Sequence, residues 1–260
     1  MYTYARGRKL ENPWDGKVKP FKVAGNIYFV GTYQGSSHII DTGAGLIFID
    51  PGYSNTLYLV VDSLYQLGYK PSDVKYIVNT HWHWDHVEAT AAFADLTGAK
   101  TLIGKFDAPY LEEKGYFTPD ILIEDGDELA LGNTTMRFLH TPGHTKGTIS
   151  FVFDTEIDGK TYLSGMFGGA GANSLTKKFA TYYDGARIDY MESLAKLRKE
   201  KVQIFLGNHT WNNDTLGKAE MLSKGCEENP FINEDCKEWN DFLDFCEKRC
   251  KEVEEKEAEN

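Results

Sequence analysis

Thr80-His81-Trp82-His83-Trp84-Asp85-His86 places three histidines and an aspartate within six residues, 81–86. It directly follows an apolar run, Val74-Lys75-Tyr76-Ile77-Val78, that reads as a buried strand. The polar cluster therefore falls at a strand's carboxyl end, where open α/β sheets hold their ligands. His81 and His83 splay from an extended loop. Asp85 and His86 follow as the chain turns into a helix predicted from about Val87 to Leu96. Imidazole and carboxylate at this density suit a borderline metal such as Zn²⁺, which takes nitrogen and oxygen donors at about 2.0–2.2 Å. The plain alternative is a histidine-rich loop without metal, and the residues downstream weigh against it.

Those residues are Thr141-Pro142-Gly143-His144-Thr145-Lys146-Gly147 and Phe205-Leu206-Gly207-Asn208-His209. Together with the opening stretch they resemble the metallo-β-lactamase superfamily, with its H-x-H-x-D-H motif, its T-P-G-H-T-x-G turn and a last histidine after a short strand. The resemblance runs from about Phe21 to about Lys218. Asp50, before Pro51-Gly52, matches the superfamily's first motif, where a carboxylate hydrogen-bonds the metal loop and orients it. The segment from Pro20 to Thr32 looks like the start of the zinc β-lactamase subclass that uses only histidine and aspartate ligands. The fold this implies is α/β (α+β), a four-layer αββα sandwich with the metals at the edge between two sheets.

By position in the motifs, the resemblance gives a first metal to His81, His83 and His144, and a second to Asp85, His86 and His209. Two Zn²⁺ ions that share a water lower its pKa to about 7, so hydroxide is available to attack a carbonyl at neutral pH. Asp85 is the catalytic candidate, positioning that hydroxide or relaying its proton. His83 weighs against the iron-binding redox branch of this fold, which commonly carries glutamate there. In Leu163-Ser164-Gly165-Met166-Phe167, Met166 stands where many relatives have an aspartate bridging both metals. A thioether is a poor ligand for Zn²⁺ beside imidazole and carboxylate, so Met166 is expected to line the site without ligating. The second metal is then the weaker one. With one aspartate and one hydroxide the pair keeps a formal charge of about +2, which favours an anionic small-molecule substrate.

Trp84, Trp211, Met166 and Asn173 are the candidate substrate contacts, and Trp82 is expected to wedge the loop against the body. His38 and His140 lie in or at the end of strands and are expected to be packed. The leading function is a metallo-β-lactamase, with antibiotic resistance as its consequence. The alternative is a dizinc hydrolase of a lactone, thioester or other activated carbonyl, since the hydroxyls that read a lactam carboxylate in that subclass fall here on Met166 and Gly168. A third reading is a metal scaffold without turnover.

The rest of the chain fits one hydrolase domain over residues 1–260, with an N-terminal arm at 1–19 and a C-terminal helix and charged tail at 238–260. Further strands are expected at 26–30, 37–40, 46–50, 100–103, 135–139, 148–153, 160–164 and 202–206. Helices are expected at about 56–67, around Tyr110, at 190–197 and from Trp239 to Val253, with the tail from Lys251 fraying. Net charge is −11 with no basic patch, so no nucleic-acid partner is expected. No apolar run approaches the ~18–20 residues of a membrane span, and oligomeric state is not legible. Met1 to Arg6 lacks the apolar core of a signal peptide. If a signal has been removed, the periplasm or secretion is the expected compartment, and the cytoplasm stays open. Cys226, Cys236, Cys246 and Cys250 cluster in the last quarter, which suggests at least one disulfide, four reduced thiols being the alternative.

Overall fold

A computed structural model describes residues 12–258, so the part of the N-terminal arm at 1–11 lies outside the described residues. One sheet has seven strands in the order β1 (Phe21–Ala24), β2 (Ile27–Phe29), β3 (His38–Asp41), β4 (Leu46–Ile49), β5 (Val74–Asn79), β6 (Lys100–Gly104) and β7 (Ile121–Ile123). β1 to β4 are antiparallel neighbours, and β4 to β7 run parallel. The second sheet follows the order β12-β11-β10-β9-β8, with β8 (Glu128–Leu131), β9 (Thr134–His140), β10 (Ile149–Ile157), β11 (Lys160–Met166) and β12 (Ile204–Phe205). Its helical partners are α5 (Ala186–Leu197) and α7 (Lys237–Ala258), while α1 (Leu57–Gln66) and α3 (Thr90–Thr97) cover the first sheet. The remaining helices are α2 (Trp84–Val87), α4 (Ala108–Lys114) and α6 (Thr215–Ser223).

Side-chain alternation builds the layers. On β4, Ile47 and Ile49 join Phe138, Phe151 and Leu206 between the sheets, while Leu46 and Phe48 face outward onto Val60, Leu64 and Phe93. On β10, Phe151 and Phe153 point inward, while Val152 meets Leu194, Trp239 and Leu243 on the other side. Helix, sheet, sheet, helix is the αββα sandwich that the motifs imply.

Three expectations need correction. The helix placed at Val87–Leu96 is broken into α2 and α3, because the chain there bonds across to Gly52. Gly52 N–H donates to the His86 carbonyl, and Ala89 N–H donates to the Gly52 carbonyl. The tail does not fray at Lys251, since α7 continues to Ala258. Glu257 ties it down by accepting the Lys177 backbone N–H at 2.7 Å and pairing with Arg187. The expected disulfide is absent, for all four cysteines are free. Cys246 and Cys250 lie one helical turn apart on the buried face of α7. Their Cβ atoms would be ~5–6 Å apart, beyond the ~3.5–4.5 Å of a bridge.

Candidate metal centre

Every candidate ligand comes from a strand's carboxyl end or the loop after one. β5 ends at Asn79 and releases the stretch from Thr80 to His86. β9 ends at His140 and turns through Pro142 and Gly143 to His144, and β12 leads to His209. Gly143 has φ 131° and lies against α5, where a Cβ would sit 2.6 Å from Tyr190 Cα. Only glycine fits that turn. The strand edges thus bring His81, His83 and His144 into one group and Asp85, His86 and His209 into another, with the ligating atoms of each trio within 4.8 Å.

Hydrogen bonds fix how four of the five histidine rings present themselves. His86 Nδ1 donates to Asp50 Oδ2 at 2.8 Å, so its Nε2 carries the lone pair. His144 Nδ1 donates to the Gly171 carbonyl at 2.7 Å, with Ser174 Oγ at 2.8 Å, and its Nε2 faces His83 Nδ1 at 3.0 Å. The Thr80 hydroxyl donates to Asp50 Oδ2 at 2.7 Å, so its oxygen is free to accept His81 Nδ1–H at 3.1 Å. His83 Nε2 lies 3.2 Å from Thr181 Oγ1. Outward nitrogens are thereby held by oxygens, the arrangement that orients metal-binding histidines. His81 Nε2 and His86 Nε2 are buried without a hydrogen-bond partner. Asp85 Oδ2 stands 3.8 Å from both His86 Nε2 and His209 Nε2, too far for a direct bond.

Electrostatics point the same way for four of the five ligand histidines. Burial, then the neighbouring imidazoles, hold His81 and His83 well below their ordinary value of 6.5. Burial takes His144 down to about 4 and His209 to about 3. Burial lowers His86 too, but the carboxylates of Asp50 and Asp85 outweigh it and raise it. Neutral imidazoles at neutral pH are what a metal needs. Orphaned buried nitrogens are costly to leave unpaired, so the donor set fits one metal per trio.

Asp50 hydrogen-bonds the loop that carries the candidate ligands. It follows β4 in the left-handed region, φ 49°, and also accepts Thr80 N–H at 2.8 Å. Trp82 is the expected wedge, buried and stacked on Tyr110 at 5.1 Å. Trp84 stands 41% exposed beside His83, and Trp211 lies parallel to the His209 ring at 4.3 Å. Asn173 is exposed, its Oδ1 only 2.6 Å from where a Gly171 Cβ would be, beside His144. Met166 is a correction: it does not line the groove. Paired with Phe151 on β10, it is wholly buried in the cluster between the sheets with Val78 and Leu206. His38 is packed as expected, and His140 bonds the Lys146 carbonyl at 2.7 Å.

Two contributors escaped the sequence reading. Thr181 lies in an irregular loop with no motif to flag it. Asp107 stands before Ala108-Pro109, where it reads as an ordinary helix cap. It makes no capping bond. Its carboxylate instead accepts Trp82 N–H at 3.0 Å, the Thr145 hydroxyl at 2.7 Å and Gly147 N–H at 2.7 Å.

A model of the metallo-beta-lactamase superfamily matches residues 30–209. The chain belongs to the metallo-β-lactamase superfamily. Members of this superfamily are metal-dependent hydrolases. Among solved structures, the native FEZ-1 metallo-beta-lactamase from Legionella gormanii is similar with a TM-score of 0.86 and 28% identity, covering 94% of this chain and 98% of that one. BJP-1, a subclass B3 metallo-beta-lactamase of Bradyrhizobium japonicum, is similar with a TM-score of 0.84 and 27% identity, covering 95% and 96%. An N-acyl homoserine lactonase from a Bacillus species is 33% identical over 110 residues, 40% of this chain and 43% of the relative. The first curated relatives are matched over 43% to 65% of their own length. Among the described residues no helix of this superfamily member is long and apolar enough to cross a membrane.

Proposed function

We propose that this chain is a zinc-dependent hydrolase that opens the amide ring of β-lactams. The observation that carries the reading is the pair of ligand trios in a chain that aligns over 94% of its length with a metallo-β-lactamase. Three neutral imidazoles in one trio, and two with a carboxylate in the other, suit Zn²⁺. When bound, two such ions supply the Lewis acidity and the activated water that amide hydrolysis requires. The protein's own part is orientation and proton handling. Asp50, Thr80, Thr181 and Gly171 hold the outward nitrogens of His86, His81, His83 and His144, so the lone pairs of these four face the groove. Asp85, only 12% exposed between His86 and His209, is the carboxylate placed to orient the nucleophile and take its proton. Trp84 and Trp211 offer ring surface to the groups flanking the scissile bond. A β-lactam presents a strained carbonyl and a carboxylate, which match a groove that carries positive charge once loaded. Antibiotic resistance and a periplasmic or secreted location follow from this reading.

A second reading, a lactone or thioester hydrolase, draws on the 33% identity to the lactonase. It also draws on Gly168, which leaves no hydroxyl at a position that would read a lactam carboxylate. Zinc-loaded protein assayed on a penicillin, a cephalosporin, a carbapenem, an acyl homoserine lactone and a thioester separates the two. Turnover of at least one β-lactam class, abolished by Asp85→Ala or His144→Ala, is the expected result. Brisk lactone or thioester hydrolysis with every β-lactam left intact would overturn it in favour of the second reading.

A further inference from the structure

We propose that Asp107 is a positioning residue that joins the two loops bearing His81, His83 and His144, and so sets the metal affinity of that trio alone. This rests on the reading of those histidines as metal ligands.

The trio is drawn from segments far apart in sequence: His83 and His144 are 61 residues apart. Something must hold the two loops in register, and no disulfide or continuous element joins them. Asp107 occupies the gap between them. On one side its Oδ2 accepts the N–H of Trp82, the residue between His81 and His83. On the other, the same Oδ2 accepts the Thr145 hydroxyl, next to His144, and Oδ1 accepts Gly147 N–H. The Thr145 hydroxyl is itself 2.7 Å from the Thr148 hydroxyl, which extends the network along the second loop.

The carboxylate is fully buried and, among the described residues, meets no cation. Burial raises its pKa to about 7, against the pull of its three donors. A group this costly to bury needs a tertiary purpose, and capping α4 is not it, since no cap bond forms. Gly147 completes the contact: a Cβ there would lie 2.7 Å from Asp107 Cγ, so the approach depends on glycine.

The other trio has a different organiser. Asp50 bonds His86 directly and Thr80 twice, and it has no hydrogen bond to Trp82, Thr145 or Gly147. Asp50 thus acts on the second trio through His86 and, by way of the Thr80 hydroxyl, on His81 of the first, whereas Asp107 acts on the first trio alone. Asp107 touches no ligand, so its effect passes through loop register.

Metal affinity is the readout. Cobalt(II) is titrated into metal-free wild type, Asp107→Asn, Asp107→Ala and Gly147→Ala against a chelator, with the visible spectrum recorded at each step. His144→Ala and His209→Ala provide reference spectra for loss of each trio. Circular dichroism identifies the variants that fold, and Asp107→Asn, isosteric and still able to accept at one oxygen, is the variant least disturbed. The expected result is two equivalents in wild type and one equivalent weakened about 10–100-fold in Asp107→Ala. The loss should match the spectrum of His144→Ala, with a smaller loss in Asp107→Asn. Asp50→Asn should weaken the other equivalent most, and this one less, through Thr80. Folded Asp107 variants that hold both equivalents at wild-type affinity, or that lose both alike, overturn the inference. Wild type that binds no metal overturns the ligand reading itself, and the inference with it.

Discussion

His38→Leu tests how buried neutral imidazoles set the pH response of this fold. His38 lies on β3 with 1% of its surface exposed, edge-on to Phe29 at 5.5 Å, and its Nδ1 has no hydrogen-bond partner. Burial takes its pKa from 6.5 down to about 3. Above pH 6.5 the ring is neutral in the folded and unfolded chains alike, and it adds no pH dependence. As pH falls below 6.5 the unfolded chain takes up a proton that the folded chain refuses. Stability is therefore lost progressively between 6.5 and about 3. Each pH unit in that window costs about 1.4 kcal/mol, so at about pH 5 His38 alone costs about 2 kcal/mol. Urea unfolding of metal-free wild type and His38→Leu, at about pH 7.5 and about pH 5, reads it directly. The ligand histidines titrate alike in both proteins and cancel in the difference. The variant should gain about 2 kcal/mol relative to wild type on acidification. A difference that stays constant between the two pH values would refute the reasoning.

Three further outcomes follow. Gly143→Ala combines a disallowed φ with a collision against Tyr190 Cα on α5, so it should cost about 3 kcal/mol or more and lower Tm by roughly 6–12 °C, measured by thermal unfolding. Denatured protein titrated for thiols without reductant should give four per chain, and Cys250→Ala should leave hydrolysis unchanged because α7 packs on the far side of the second sheet.

What the sequence made legible is local. His81, His83, Asp85 and His86 fall in one short stretch after a strand, so spacing alone marks them, whereas His144, in its Pro-Gly turn, needed the family pattern. His209 needed the family pattern, since nothing around it but a short strand sets it apart. Asp107 was illegible because its work is entirely tertiary: its partners lie 25, 38 and 40 residues away. Met166 was misplaced for a related reason. Its sequence neighbours are glycine and phenylalanine, and only its register opposite Phe151 shows that it faces the sheet interior. β7, three residues long, gave no periodic signal, and the cysteines misled because clustering in sequence says nothing of the direction in which each Sγ points.

Anomalous diffraction at the zinc edge, from crystals of zinc-loaded protein, tests the central claim most directly. Two peaks per chain are expected, one among His81, His83 and His144 and the other among Asp85, His86 and His209. Peaks elsewhere, or none at either trio, would contradict it.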